Sequence, residues 1–204
     1  MKKQVLVIHG GTTFTTYREY LSFLKSARIE LDEFRSGRSD WKDNLQKNLG
    51  EFFDVLRPTM PNGKNAKYKE WQIWFEKIIP LLNKEIILVG HSMGGIFLAK
   101  YLSENRFPKT ILATILVAAP FNDEGGESLG DFNLPKSLAK FEKQSREIFL
   151  IYSTDDPSVP FSKLEKYKKA LPNAKTLIFK DRGHFRLETF PEIAKLIKNI
   201  YQTK

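Results

Sequence analysis

One passage constrains this chain more than any other: "KEIILVGHSMGGIFLAKYL", residues 84 to 102. A short run of β-branched and aliphatic residues passes into a helical pattern, and the junction is Gly90-His91-Ser92-Met93-Gly94. A run that is apolar at every position, rather than at alternate ones, suits a strand covered on both faces, inside a parallel sheet between layers of helices. Glycine at 90 and 94 fits a sharp turn, because side chains at either position would collide as the chain passes from strand to helix. Ser92 then stands at the apex above the sheet edge, with the positive end of the next helix directed at any negative charge forming beside it. Gly-x-Ser-x-Gly by itself also occurs at ordinary strand-to-helix turns. Here the flanking strand and helix supply the context the motif requires.

The same alternation runs through the rest of the chain. "QVLVIHG" at 4–10, "TILATILVAA" at 110–119 and "EIFLIYS" at 147–153 read as further buried strands, and "KTLIF" at 175–179 as a shorter one. Between them lie helical patterns. Trp71, Trp74, Phe75, Ile78 and Leu82 share one face by their spacing and are expected in the core, as are Ile193, Leu196, Ile197 and Ile200 of a closing helix. From Phe14 to Met60 the boundaries are open: "YREYLSFLKSA" and "WKDNLQKNLGEFF" read as helices, and "DVLRPTMP" as a possible extra strand. Strands alternating with helices predict a three-layer α/β/α sandwich with a mostly parallel sheet and right-handed crossovers. With 204 residues, 41% of them hydrophobic, the expectation is a single domain over 1–204. The stretch from 120 to 137 has no periodicity and suits a loop or small lid.

A serine is a weak nucleophile unless a base takes its proton and a further group orients that base. There are three histidines. His91 adjoins the serine, with its side chain expected to point away from the hydroxyl, and His9 closes the first strand. His184, in "KDRGHF", lies five residues past the last strand, so its loop leaves the same edge of the sheet as Ser92. The plain alternative for it is a surface-loop histidine. The acid is expected just past the preceding strand, where "LIYSTDDPSVP" offers Asp155 and Asp156. Asp156 is preferred because Pro157 stiffens the loop behind it, although Asp-Asp-Pro also suits a turn that merely caps backbone amides. Two amides should face the oxyanion: that of Met93, and one from the first strand's loop, with Gly11 ahead of Thr12.

Other chemistries are less well supported. The chain has no cysteine, which removes disulfides, thiolate metal sites and a thiol nucleophile. No histidine–carboxylate spacing suggests metal ligands, and no metal or organic cofactor is expected. The Gly10-Gly11 turn satisfies neither phosphate-loop pattern. The net charge is +9, but the lysines are scattered among acidic residues, so a solvated surface is expected rather than nucleic-acid binding. No apolar run approaches the ~18 residues of a membrane span, and no signal peptide is read at the start. A cytoplasmic protein is the expectation; the oligomeric state is left open.

With "HGG", "GHSMGG", "DDPSVP" and "GHF" in that order, the chain resembles the α/β-hydrolases over nearly its whole length. Within them it is most similar to the compact serine hydrolases related to retinoblastoma-binding protein nine and to small bacterial esterases. The resemblance implies Asp156 rather than Asp155 as the acid, and a trimmed sheet without additional antiparallel strands. "HGG" departs from the small members of the group, and residues 14 to 60 are not explained by its pattern. The activity implied is a serine hydrolase with catalytic residues Ser92, His184 and Asp156, cleaving short- to medium-chain esters, and also lactones or thioesters, through an acyl-enzyme. Phe14, Phe121 and Phe185 flank the site segments and are candidates for the acyl pocket or for the core. The alternatives are a non-catalytic binding or scaffold protein on the same fold, or a cofactor-free lyase or perhydrolase using the same residues.

Overall fold

The structure, a computed structural model, describes residues 2–29, 31, 40–122 and 128–202. Six strands, β1 (Lys3–Ile8), β2 (Phe53–Leu56), β3 (Glu85–His91), β4 (Thr110–Val117), β5 (Ser145–Ser153) and β6 (Lys175–Phe179), form one sheet in the order β2-β1-β3-β4-β5-β6. Every pairing is parallel. Between and after the strands lie α1 (Tyr17–Ser26), α2 (Trp41–Leu49), α3 (Tyr68–Ile78), α4 (Met93–Glu104), α5 (Ala139–Gln144), α6 (Ser162–Ala170) and α7 (Pro191–Ile200).

Strand alternation divides the interior in two. Leu6, Ile8, Ile86 and Leu88 point to one face, where they pack with Trp71, Phe75, Phe97 and Tyr167 from α3, α4 and α6. Val5, Val7, Ile87 and Val89 point to the other, against Trp41 and Leu45 of α2 and Ile193 and Ile197 of α7. Both faces are therefore covered, which is why these runs are apolar throughout.

The possible extra strand within "DVLRPTMP" is β2, one residue longer at its start, and it forms one edge of the sheet by pairing with β1 in the register Lys3 to Phe53. The strand expected at 4–10 ends at Ile8, because His9 leads into the glycine turn. The strand expected to run to 119 stops at Val117, where Ala118 takes a left-handed backbone (φ 46°).

One core assignment is corrected. Trp74 is 45% exposed, whereas Trp71 and Phe75 are fully buried. The buried stripe of α3 runs through Tyr68, Trp71 and Phe75 and continues to Ile79 and Leu82, and Trp74 lies about a quarter turn from its centre. α1 takes no part in either core: it has no buried residue.

The sheet changes winding direction between β1 and β3, so their C-terminal ends open a crevice. The His9–Gly11 turn and Ser92 both leave the sheet there.

Candidate active site

Ser92 sits between β3 and α4 with φ 53° and ψ −123°, a conformation that side-chain-bearing residues seldom adopt. Its N–H donates to the Val117 carbonyl at 2.8 Å, and its own carbonyl accepts from Gly95 at 2.8 Å, so the turn is held from both sides. A Cβ at position 90 would lie 2.5 Å from the Gly94 carbonyl oxygen, and one at 94 would collide with the carbonyl of Ile8. The two glycines are thus required by close approach of backbone to backbone.

His184 lies in the loop after β6 and Asp156 in the loop after β5. His184 Nδ1 is 2.8 Å from Asp156 Oδ2 and 3.1 Å from Oδ1. A carboxylate only accepts, so Nδ1 carries the proton, which leaves Nε2 directed away from Asp156 as the ring's second nitrogen. The Asp156 side chain is wholly enclosed although its backbone reaches the surface. Its Oδ1 also accepts from the amides of Ser158 (2.8 Å) and Val159 (2.9 Å), which fix the carboxylate.

Asp155 does different work. Its Oδ1 accepts from Ser153 Oγ at 2.5 Å and from the Gly183 amide at 3.0 Å, and Ser153 Oγ in turn accepts from the Arg182 amide at 3.0 Å. The Ser153 hydroxyl, foremost, and the Gly183 amide hold its carboxyl below the usual carboxylate range. Asp155 therefore ties the loop after β5 to the loop that carries His184.

The other two histidines serve as struts. His91 is buried, and its Nε2–H donates to the His184 carbonyl at 2.9 Å. Burial, with smaller effects from Lys42 and His184, pushes its pKa well below the ordinary imidazole range, so it is neutral. His9 Nε2 accepts from the Met60 amide at 2.8 Å, leaving Nδ1–H to donate to the Gly10 carbonyl at 2.5 Å. In the turn that follows, the Thr12 amide donates to the Gly63 carbonyl at 2.9 Å.

Sequence reasoning gave no role to Trp41. Its backbone amide donates to the Leu187 carbonyl at 2.7 Å and its indole Nε1–H to the Phe185 carbonyl at 3.0 Å, while Asn44 Nδ2 donates to the Glu188 carbonyl at 3.0 Å. The first turn of α2 thereby staples the His184 loop. Aromatic residues signal burial, but nothing in the sequence indicates which backbone an indole will meet.

These segments enclose a cleft of two lobes. The larger, about 1050 Å³, is lined by Gly11, Phe14, Ser92, Met93, Pro120 and His184 among others, and the smaller, about 780 Å³, by His9, Gly11, Thr59, Ser92, His91 and His184 among others. Ser92, Met93, Gly11, Thr12 and His184 thus meet at one cavity, with Asp156 behind His184. Of the three phenylalanines, Phe14 lines the larger lobe. Phe185 is fully buried in the core, and Phe121 packs edge-on against Tyr167 with ring centres 4.8 Å apart. Residues 123–127 of the expected loop or lid lie outside the described residues. Among the described residues, no group of three or more His, Cys, Asp or Glu side chains is arranged to hold a metal ion, and no helix is long and apolar enough to cross a membrane.

The family model for "Serine hydrolase" matches residues 34–198, most of the chain. The chain belongs to the serine hydrolase family. This hydrolase is 30% identical over 165 residues to the serine hydrolase RBBP9 of Rattus norvegicus, covering 78% of the present chain and 86% of that one. In fold it is similar to the ydeN gene product of B. subtilis, with a TM-score of 0.78, 20% identity and coverage of 98% and 100% of the two chains. It also resembles Est1E of Butyrivibrio proteoclasticus, with a TM-score of 0.60, 15% identity and coverage of 99% and 88%. The parallel sheet and these neighbours give it the compact α/β-hydrolase fold, and the family model and the RBBP9 relative make it an enzyme of hydrolytic type.

Proposed function

We propose that this serine hydrolase is a cytoplasmic, carboxylesterase-like enzyme, one domain over residues 1–204, in which Ser92 is the nucleophile, His184 the general base and Asp156 the group that orients the base. The observation that carries this reading is the 2.8 Å contact between His184 Nδ1 and an enclosed Asp156 carboxylate, on a histidine that shares its cleft with a serine in a strained turn.

In this reading His184 Nε2 takes the proton of Ser92 Oγ as the oxygen attacks the carbonyl carbon of an ester. The oxyanion that forms faces the amides of Met93 and Gly11. Gly11 is favoured over Thr12 because the Thr12 amide is already bound to Gly63. The imidazolium, stabilised by Asp156, returns its proton to the departing alcohol. Water then attacks the acyl-enzyme with His184 again as base, releasing the acid and restoring Ser92.

The larger lobe is edged by threonine and serine hydroxyls as well as apolar groups, which favours short to medium acyl chains, thioesters and lactones over long lipids. The test is initial rates on 4-nitrophenyl esters from acetate to decanoate, with wild type, Ser92→Ala and His184→Ala each checked for folding. Wild type should turn over the short esters, and both variants should lose about a thousandfold or more. Wild-type rates no higher than the variants' would overturn the esterase reading. Labelling of Ser92 by a serine-directed phosphonate would then separate a different acyl substrate from a scaffold without catalysis.

A further inference from the structure

Five of the described residues line both lobes of the cleft: Gly11, Thr12, Ser92, His184 and Arg186. The first four belong to the proposed machinery or its loop. Arg186 has no part in it, yet it stands at the same waist, two residues beyond His184.

Its backbone is held on both sides, because the carbonyls of His184, Phe185, Leu187 and Glu188 all accept hydrogen bonds from His91, Trp41 and Asn44. Its side chain is exposed and makes no hydrogen bond or ion pair among the described residues. The described carboxylates that line the lobes are already engaged. Glu19 accepts from the Thr15 and Thr16 amides at the start of α1, and Asp40 accepts from the Lys42 amide and ammonium. Two more cations lie near, Arg18 in the larger lobe and Lys64 in the smaller. Arg186 is therefore left without an acidic partner among the described residues, in a waist where Arg18 and Lys64 are also at hand.

We infer that Arg186 is the binding site for a carboxylate on the substrate, held beside the carbonyl that Ser92 attacks. A planar guanidinium offers paired N–H donors that fit the two oxygens of a carboxylate, and one guanidinium matches its single charge. The preferred substrate is then an ester that also bears a free acid group, on either its acyl or its alcohol side. This rests on the esterase reading above and narrows it.

Two matched pairs distinguish the sides: 4-nitrophenyl hydrogen adipate against 4-nitrophenyl hexanoate, and 4-acetoxybenzoate against its methyl ester, all corrected for spontaneous hydrolysis. In at least one pair, wild type should favour the anionic ester in kcat/KM by about tenfold or more, as expected for a hydrogen bond between charged groups. Arg186→Gln should abolish that preference while leaving the neutral ester within about twofold. Arg186→Lys should keep part of it, and Arg18→Gln should keep it whole. Absence of any preference for the anion, its survival in Arg186→Gln, or its loss in Arg18→Gln alone would overturn the assignment, while turnover of neutral esters would leave the esterase reading standing. Calorimetric titration with adipate and with 4-hydroxybenzoate reads the site without turnover. At least one should bind wild type and Ser92→Ala about tenfold more tightly than Arg186→Gln. Equal affinity for all three proteins would overturn the inference even if no ester is hydrolysed.

Discussion

Asp155 and Asp156 are chemically identical neighbours that only their surroundings distinguish. Asp156 is enclosed and faces His184, whereas Asp155 is exposed and holds the Gly183 amide and the Ser153 hydroxyl. Asp156→Asn should lower kcat by up to about 10⁴-fold, because an amide NH₂ facing Nδ1 favours the wrong imidazole tautomer. Asp155→Asn should cost less than about tenfold, since it weakens a tie between loops and leaves the acceptor of the imidazole proton in place. Rates on one 4-nitrophenyl ester rank the two, and the reverse order would exchange their roles. His91 gives a prediction in pH. Its proton affinity is lowered by burial, so the unfolded chain binds a proton near pH 6.5 that the folded chain does not. Its contribution to stability is therefore full above that pH and declines as the pH falls below it. Between pH 7 and 5, Tm should drop more steeply for wild type than for His91→Gln, and parallel curves would show that another group controls acid stability.

At the level of elements, α2 holds the loop that carries His184 without itself supplying a residue to the proposed chemistry. Trp41→Phe removes the indole donor to the Phe185 carbonyl, which should cost about 1–3 kcal/mol in chemical denaturation and lower kcat more than it raises KM, through a looser His184 loop. An unchanged kcat would confine Trp41 to the core. This staple also marks where the sequence stopped being readable. The central strands were legible because apolar runs covered on both faces have no polar alternation to blur them, and the Ser92 turn because Gly90 and Gly94 leave room only for backbone. β2 is not decided by sequence, because a four-residue edge strand carries too few positions to show a period. Trp74 departs from the expected face because it precedes Phe75 at the centre of the stripe by one residue, and one residue is about 100° of turn. Trp41 and Phe185 are 144 residues apart, and the bond between them depends on how α2 docks, which no local pattern encodes. The same holds for Arg186, whose proposed role comes from standing where two lobes meet.

Across the molecule, the catalytic candidates leave the sheet where β1 and β3 diverge, with helices α2 and α7 behind one face and α3 to α6 behind the other. α1 belongs to neither layer. Arg18, Glu19 and Ser22 on it line the larger lobe, yet none of its residues is buried, and Leu21, Phe23 and Leu24 are all more than a third exposed. Its local opening should need far less free energy than global unfolding, so its amides should exchange with deuterium well before those of β3 and α4. Exchange as slow as in β3 would show that α1 is held by the core after all. One wall of the proposed substrate lobe is therefore separable from the foundation of the fold. On the proposed reading, substitutions along α1 should alter which molecules are admitted without drawing on the stability that keeps Ser92, His184 and Asp156 in register, leaving selectivity free to drift while the reaction stays fixed.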